Sequence, residues 1–158
     1  MDITIALVRA WGPCAAYTDA QLAELAAGRE SLTPLEACDL PIPGGEVLWL
    51  LLREEILGAS QLRQFGCDCV TRVLLRERAS GREPDPRSWA AVDVSRRFAQ
   101  GGATEAELAA AWAAAWDTRD ARAAWAAAWD TRDAAWVSWK IGRLRLYLAA
   151  SEIPEVEP

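Results

Sequence analysis

The sequence predicts an all-α fold, and three features support this prediction. Alanine and leucine, which favour helix, dominate a chain of 158 residues in which β-branched runs are scarce. Residue pairs that cap the start of a helix recur along the chain, and one alanine- and tryptophan-rich segment occurs twice near its end. We expect about six to seven helices in one domain, residues 1–150, followed by an acidic, frayed tail, residues 151–158.

Residues 1–102 predict a core of short helices. Residues 3–11 combine an alternating start, which would suit a strand, with a four-residue apolar spacing, and we expect a short helix. Thr18 and Gln21 form a capping box for a helix over residues 19–27. Thr33, followed by Pro34, predicts the start of the next helix, which is short because a turn-rich loop follows it.

Three further helices complete this core. The segment "EVLWLLLREEIL", residues 46–57, is apolar nearly all round until Arg53, which is typical of a buried central helix. Ser60 predicts the start of a helix that ends near residues 80–81. Asp85, followed by a proline, predicts the start of another that ends at residues 101–102.

Residues 104–150 form a long segment rich in alanine and tryptophan. Thr104 and Glu107 make a capping box at its start, and Gly142 is the one strong helix breaker inside it. The segment therefore predicts one very long helix or two helices with a break between them.

The segment "AAWAAAWDTRD" occupies residues 110–120 and recurs, letter for letter, at residues 123–133. A shift of thirteen residues rotates a straight helix by roughly 220°, so the tryptophans of the two copies would point to nearly opposite sides. A helix on the surface of one domain has only one side that faces the core. Either the helix breaks near residues 117–122, or it continues and its extra aromatic stripe contacts another chain.

The charge balance argues against nucleic-acid binding. Seventeen basic and twenty-three acidic residues give a net charge of -6, whereas binding to phosphates requires a basic surface. An acidic surface favours association with a basic protein. The longest strongly apolar run, residues 47–52, is too short for a membrane span, and we expect a cytoplasmic protein without a signal peptide.

The residues that support catalysis are scarce. The chain has no histidine, which removes the commonest general base and the commonest metal ligand. It also lacks the phosphate-binding and zinc-protease motifs, and we interpret its carboxylates as a solvated surface. We therefore expect no enzymatic activity and no cofactor.

The four cysteines allow three interpretations. Cys67 and Cys69, together with Cys14 and Cys38, could bind zinc, take part in redox chemistry, or serve as buried structural residues. Because residues two apart on a helix point roughly 200° away from each other, the pair is poorly placed for one metal ion. Buried, free thiols are the favoured interpretation.

Several segments resemble the alanine-rich family of immunity proteins found in bacterial toxin-immunity loci and phage genomes. They are "LTPLEACD", "VLWLLLRE", "CDCVTRVL" and the alanine-rich stretch that begins at residue 85. The resemblance covers most of the chain, and the perfect repeat and the many tryptophans depart from the family pattern. It implies a non-catalytic protein that binds and neutralises a toxin or a defence effector.

We therefore expect an inhibitor that occludes a toxin or nuclease by stoichiometric binding, including a phage-borne variant that disables bacterial defence in the manner of an anti-CRISPR protein. Tryptophans are frequent interface hot spots, and acidic residues suit a basic target. The expected partner-binding residues are Trp112, Trp116, Asp117, Arg119, Asp120, Trp125, Trp129, Asp130, Arg132 and Asp133. The alternative is a helical scaffold whose tryptophan-rich helix forms a homo-oligomer.

Overall fold

The computed structural model describes residues 1–150 and 153–158, and for Trp125, Ala128 and Trp129 it describes the backbone but not the side chains. Nine helices and one two-stranded sheet lie within these residues. In chain order they are β1 (Ile3–Thr4), α1 (Ile5–Ala10), α2 (Asp19–Ala26), β2 (Ser31–Leu32), α3 (Pro34–Ala37), α4 (Gly44–Leu51), α5 (Glu54–Ala79), α6 (Pro86–Ala99), α7 (Glu105–Trp116), α8 (Arg119–Trp129) and α9 (Ala134–Leu148). The predicted all-α class is confirmed.

Four predicted helix starts lie where the sequence places them, whereas the start predicted at Ser60 is wrong, because Ser60 lies inside α5 and its hydroxyl donates to the carbonyl oxygen of Ala99. Thr18, Thr33 and Thr104 each form a complete capping box, in which the threonine side chain and the third helical residue satisfy each other's backbone amides. Asp85 caps α6 by accepting a hydrogen bond from the amide of Arg87. These four starts depend on residues within one turn of each other, so the local sequence is sufficient to predict them.

The N-terminal segment contains both predicted alternatives. Its first residues form β1, which pairs antiparallel with β2 so that Ile3 lies opposite Leu32. Thr4 ends the strand and caps α1, because its side chain accepts the amide hydrogen of Leu7. The short helix is thus shorter than predicted.

The predicted central helix over residues 46–57 is wrong, because the chain leaves helical geometry at Leu52 and Arg53. Arg53 Nε donates to the carbonyl oxygen of Trp49 at 3.1 Å, which satisfies one of the carbonyls that the end of α4 leaves open. The guanidinium also lies over the rings of Trp49 and Trp11, at 4.2 and 5.2 Å from their centroids. These contacts favour a break over a continued helix.

Helix α5 is the central helix of the structure and contacts α6, α8 and α9. Near its start Gly58 has a φ of 74°, so the first turn is set at an angle to the rest. The main core gathers apolar side chains from α4, α5 and α9, among them Leu51, Phe65 and Leu144. A smaller cluster around Leu74 and Val92 lies between α5 and α6.

Residues 104–150 form three helices, α7, α8 and α9, and the alternative of one continuous helix is wrong. The first break falls at Asp117 and Thr118, inside the range where the sequence predicts one, and the second falls between α8 and α9. The two additional helices account for the difference from the predicted number. The predicted frayed tail is described only from Ile153 onward, and Ile153 packs against the main core.

Candidate functional site

Helix α7 presents an apolar face to solvent. Trp112 and Trp116 lie about 40° apart around the helix axis, and their exposed fractions are 52% and 67%. The neighbouring positions on the same side, Ala109 and Ala113, are exposed as well. We call these four residues the tryptophan face.

The opposite side of α7 holds this face in place. Leu108 and Ala111 are half-buried and Ala115 is buried, so the helix packs on α6 through small side chains. Trp112 Nε1 donates to the hydroxyl oxygen of the buried Ser95 of α6 at 2.9 Å. This bond fixes one edge of the indole while much of its ring remains open to a partner.

Acidic residues stand at both ends of the tryptophan face. Glu105 is exposed in the first turn of α7, and Asp117 is exposed at its C-terminal end. A third carboxylate, Glu107, accepts hydrogen bonds from the backbone and the hydroxyl of Thr104, which lower its pKa. The apolar face is therefore flanked by carboxylates, whose charge suits a basic protein surface.

The remaining predicted residues of the first copy divide into exposed and buried. Arg119 is exposed at the start of α8. Asp120, by contrast, is 6% exposed, and its Oδ2 accepts the amide hydrogen of Asp85 at 2.6 Å. Asp120 thus joins α8 to the start of α6 and does not belong to the exposed surface, contrary to the expectation that it contacts a partner.

The charged end of the second copy, residues 130–133, lies in the turn between α8 and α9. Asp130 accepts the amide hydrogen of Arg132, and this bond is the main cause of its lowered pKa. Asp133 is exposed but caps α9 by accepting the amide hydrogen of Trp136 at 3.0 Å. Arg132 is almost fully exposed. The side chains of Trp125 and Trp129, which the prediction also includes, lie outside the described residues.

A buried ionic cluster, which the sequence does not predict, connects three helices. Asp68 of α5 is 4% exposed, and its Oδ2 accepts hydrogen bonds from Arg143 Nε and from the Tyr147 hydroxyl, both at 2.7 Å. Its Oδ1 accepts from Arg96 Nη2 of α6 at 3.1 Å. Burial, followed by the bond to Asp68, raises the pKa of Tyr147. Every member has a partner, as expected of a structural cluster.

The cysteine pair lies on either side of Asp68 and serves two different cores. Cys67 belongs to the cluster between α5 and α6, whereas Cys69 belongs to the main core. Burial raises the pKa of Cys67 to about 11 and that of Cys69 to about 12. Both thiols are therefore protonated near neutral pH, a state unsuited to nucleophilic attack or metal binding.

In the part of the chain that the structure describes, no group of three or more cysteine, aspartate or glutamate side chains is arranged to hold a metal ion. None of the helices within residues 1–150 is both long and apolar enough to cross a membrane.

Comparison of the chain with models of protein families, with curated proteins and with solved structures finds no match. The resemblance to immunity proteins stays a prediction. The class that the fold defines is an all-α protein with an exposed aromatic helix face.

Proposed function

We propose that this protein is a non-catalytic inhibitor that binds a basic effector protein, a toxin or a nuclease, through the tryptophan face of α7. The observation that carries the proposal is the exposure of Trp112 and Trp116 side by side on one helix. Two adjacent exposed indoles leave an apolar patch in contact with water, and a partner that covers the patch removes this apolar area from water. Tryptophan is also enriched among the residues that dominate binding energy.

Charge favours a foreign basic protein over a second copy of this chain. Glu105 and Asp117 flank the tryptophan face, and each copy carries a net charge of -6, so two copies repel one another at long range. A basic partner would be attracted by the same charges and would associate faster at low salt. The scaffold alternative requires the apolar contact to overcome that repulsion.

The contacts that fix α7 hold the tryptophan face in one orientation before a partner binds. Trp112 is bonded to Ser95, and the capping box of Thr104 fixes the start of the helix. A side chain that is ordered before binding loses less conformational entropy when the complex forms. The face is therefore suited to tight, stoichiometric association.

The test uses the whole chain as bait in an extract of the organism that encodes it. Trp116→Ala removes the more exposed indole, and Leu35→Ala removes an exposed apolar side chain of α3 as a matched control. We expect one basic protein to bind the wild type and Leu35→Ala, with about 30-fold or greater loss for Trp116→Ala. Purified, that protein should lose its toxic or nuclease activity at a one-to-one ratio.

Two outcomes would contradict the proposal: a partner retained equally by all three baits, or a partner whose activity survives an excess of the inhibitor. Light scattering of the free chain at tens of micromolar addresses the alternative. A stable dimer that Trp116→Ala dissociates would favour the scaffold.

The charges are tested separately. Glu105→Lys combined with Asp117→Lys should weaken binding about tenfold at low salt and less at high salt, because screening removes long-range attraction. Glu24→Lys combined with Glu157→Lys, which reverses two exposed carboxylates outside α7 and changes the net charge equally, is the control and should change little. Equal losses in both variants would show that net charge alone matters.

A further inference from the structure

A cavity of about 260 Å³ lies beside the two-stranded sheet, and no residue of the tryptophan face lines it. Its walls come from β1, α1, α2, β2 and α4, and they are mainly apolar, with Val8, Leu22, Leu25, Leu32 and Leu50 among the lining residues. Cys14 and Glu30 also line it and are exposed, so the cavity reaches the protein surface.

The volume suits a small molecule. An engineered apolar cavity of about 150 Å³ holds benzene, so this cavity has room for about ten non-hydrogen atoms. Apolar pockets with few polar groups are the usual form of a small-molecule site, because the apolar wall supplies affinity and the polar group supplies orientation.

Two carboxylates line the cavity, and of these Glu30 is exposed whereas Glu46 is half-buried. Glu46, in the first turn of α4, lines it together with Tyr17. Interaction with the Glu46 carboxylate raises the pKa of Tyr17 to about 12, so the Tyr17 hydroxyl stays protonated near neutral pH. Glu46 Oε2 is buried and accepts no hydrogen bond from the residues that the structure describes.

An unpaired, buried carboxylate oxygen is costly, and the cost is relieved when a donor reaches it. Water can supply a donor but leaves the apolar wall uncovered. A molecule with an apolar body and one positively charged donor would satisfy both parts at once.

We propose that this cavity binds a small apolar amine, with the ammonium group on Glu46 and the hydrocarbon body against the leucines of α2, β2 and α4. Tyr17, which also lines the cavity, supplies a second polar group beside this carboxylate. The site is independent of the proposed inhibitor function, because it uses none of the residues of α7.

The experiment titrates the whole protein with 2-phenylethylamine, with the neutral analogue 2-phenylethanol and with the anion 3-phenylpropionate, and follows backbone amide shifts by NMR. We expect saturable shifts confined to the elements around the cavity. The amine should bind at least tenfold tighter than the alcohol, and the anion should bind most weakly.

Two variants and one control identify the site. Glu46→Gln should reduce the preference for the amine to less than threefold while binding of the alcohol persists. Ala26→Leu, which adds volume to the cavity wall, should weaken binding of every probe. Glu24→Gln, an exposed carboxylate of α2 that does not line this cavity, should change nothing.

The proposal is overturned if the amine and the alcohol bind equally, if no probe gives saturable shifts in the wild type, or if Glu24→Gln and Glu46→Gln act alike. Thermal unfolding of each variant shows that it is folded. Should Glu46→Gln fail to fold, Glu46→Asp, which retracts the carboxylate, should lower the affinity for the amine but not for the alcohol.

Discussion

The two copies of the repeated segment, residues 110–120 and 123–133, end in the same four residues, Asp-Thr-Arg-Asp. The helix that follows each copy nevertheless begins at a different position of these four. In the first copy, Thr118 is the N-cap of α8, and its side chain accepts the amide hydrogen of Ala121 at 3.1 Å. In the second copy, Asp133, the last residue of the segment, is the N-cap of α9. The same local sequence therefore offers two helix starts, and something outside it makes the choice.

Tertiary partners make that choice. Around the first copy, the buried Thr118 hydroxyl lies 3.0 Å from the Ser88 hydroxyl, and Asp120 binds the amide of Asp85. Both contacts fix the turn against the start of α6. The thirteen-residue shift places the second copy beyond the reach of these partners, so its threonine, Thr131, is exposed.

The end of the second copy is held by α9. Lys140, 2% exposed, donates from Nζ to the carbonyl oxygens of Ala127 and Asp130 at 3.2 and 3.1 Å. Trp136 Nε1 also donates to the Ala127 carbonyl oxygen. These donors satisfy carbonyls at the C-terminus of α8, where a positive charge is favourable. Identical residues thus acquire different structural roles according to what packs beside them.

The largest effect is expected at Asp68, which connects the helices beside both copies: Arg96 of α6 and Arg143 of α9. Asp68→Ala leaves Arg143 buried without a counter-charge, and we expect a loss of about 3–5 kcal/mol in the free energy of unfolding. Urea denaturation measures this loss. Asp93→Ala, an exposed aspartate of α6, is the control, and a similar loss in both would contradict the structural role assigned to the cluster.

Lys140→Met removes the Nζ donor to the carbonyl oxygens of Ala127 and Asp130 and keeps a long apolar side chain. We expect a loss of about 2–3 kcal/mol, because charged hydrogen bonds to backbone carbonyls are lost in a buried site. The exposed Ser138→Ala in the same helix should cost less than about 0.5 kcal/mol. Equal midpoints for the two variants in urea denaturation would exclude Lys140 as the residue that ends α8.

The pH dependence of stability reports the burial of a cysteine thiol of α5. Burial raises the pKa of Cys69, on the main-core side, from 9.0 to about 12. The folded state therefore favours the protonated thiol, so its contribution to stability is complete below pH 9 and is lost as the pH rises towards 12. We expect a decrease of about 2 kcal/mol between pH 8 and about pH 10.5 from this thiol.

The measurement compares wild type with Cys69→Ala at both pH values under reducing conditions. The variant should lose less stability on going to the higher pH. Lys140, whose pKa burial lowers, has the opposite pH dependence, and because Cys69 also acts on that pKa, the difference between the two proteins reports the thiol together with its coupling to Lys140. A parallel decrease in both proteins would refute the prediction.

The threonines test the comparison most directly, because they occupy the same position in identical segments. Thr118→Ala removes a helix cap and a buried hydroxyl contact, and it should cost about 1–2 kcal/mol. Thr131→Ala, at an exposed position, should cost less than about 0.5 kcal/mol. The two free energies of unfolding, measured side by side, would be equal if the two turns had the same structure.

The smallest effect on stability is expected at Trp116. Because two thirds of this side chain faces solvent, Trp116→Ala should change the free energy of unfolding by less than about 0.5 kcal/mol. Thermal unfolding checks this. A loss of several kcal/mol would mean that the indole belongs to the core and not to a binding surface.

The sequence predicts those parts of the fold whose determinants lie within one helical turn. The capping boxes of Thr18, Thr33 and Thr104 are of this kind, and so is the possibility of a break within residues 117–122. Thr118 and Asp133, which cap α8 and α9, were not predicted as caps, because they stand in an alanine-rich context that favours helix. Packing against the neighbouring helices decides at which of these residues a helix begins.

The candidate sites show the same limit. The tryptophans of the first copy can be identified from composition, but their exposure depends on how α7 sits on α6. The burial of Asp120 depends on Asp85, which lies 35 positions away, and the cluster around Asp68 joins residues up to 79 positions apart. The apolar cavity has no sequence signal at all, because five separate elements form its walls.

The break at Asp117 and Thr118 also bears on how this chain can change in length. Each copy of the repeated segment carries a helical stretch together with the residues that can end it and begin another helix. A duplication of thirteen residues therefore adds a separate helix, α8, that packs on α5, instead of extending α7 into solvent. A coding tract of this composition can gain a structural unit in one step while the helices on either side keep their length.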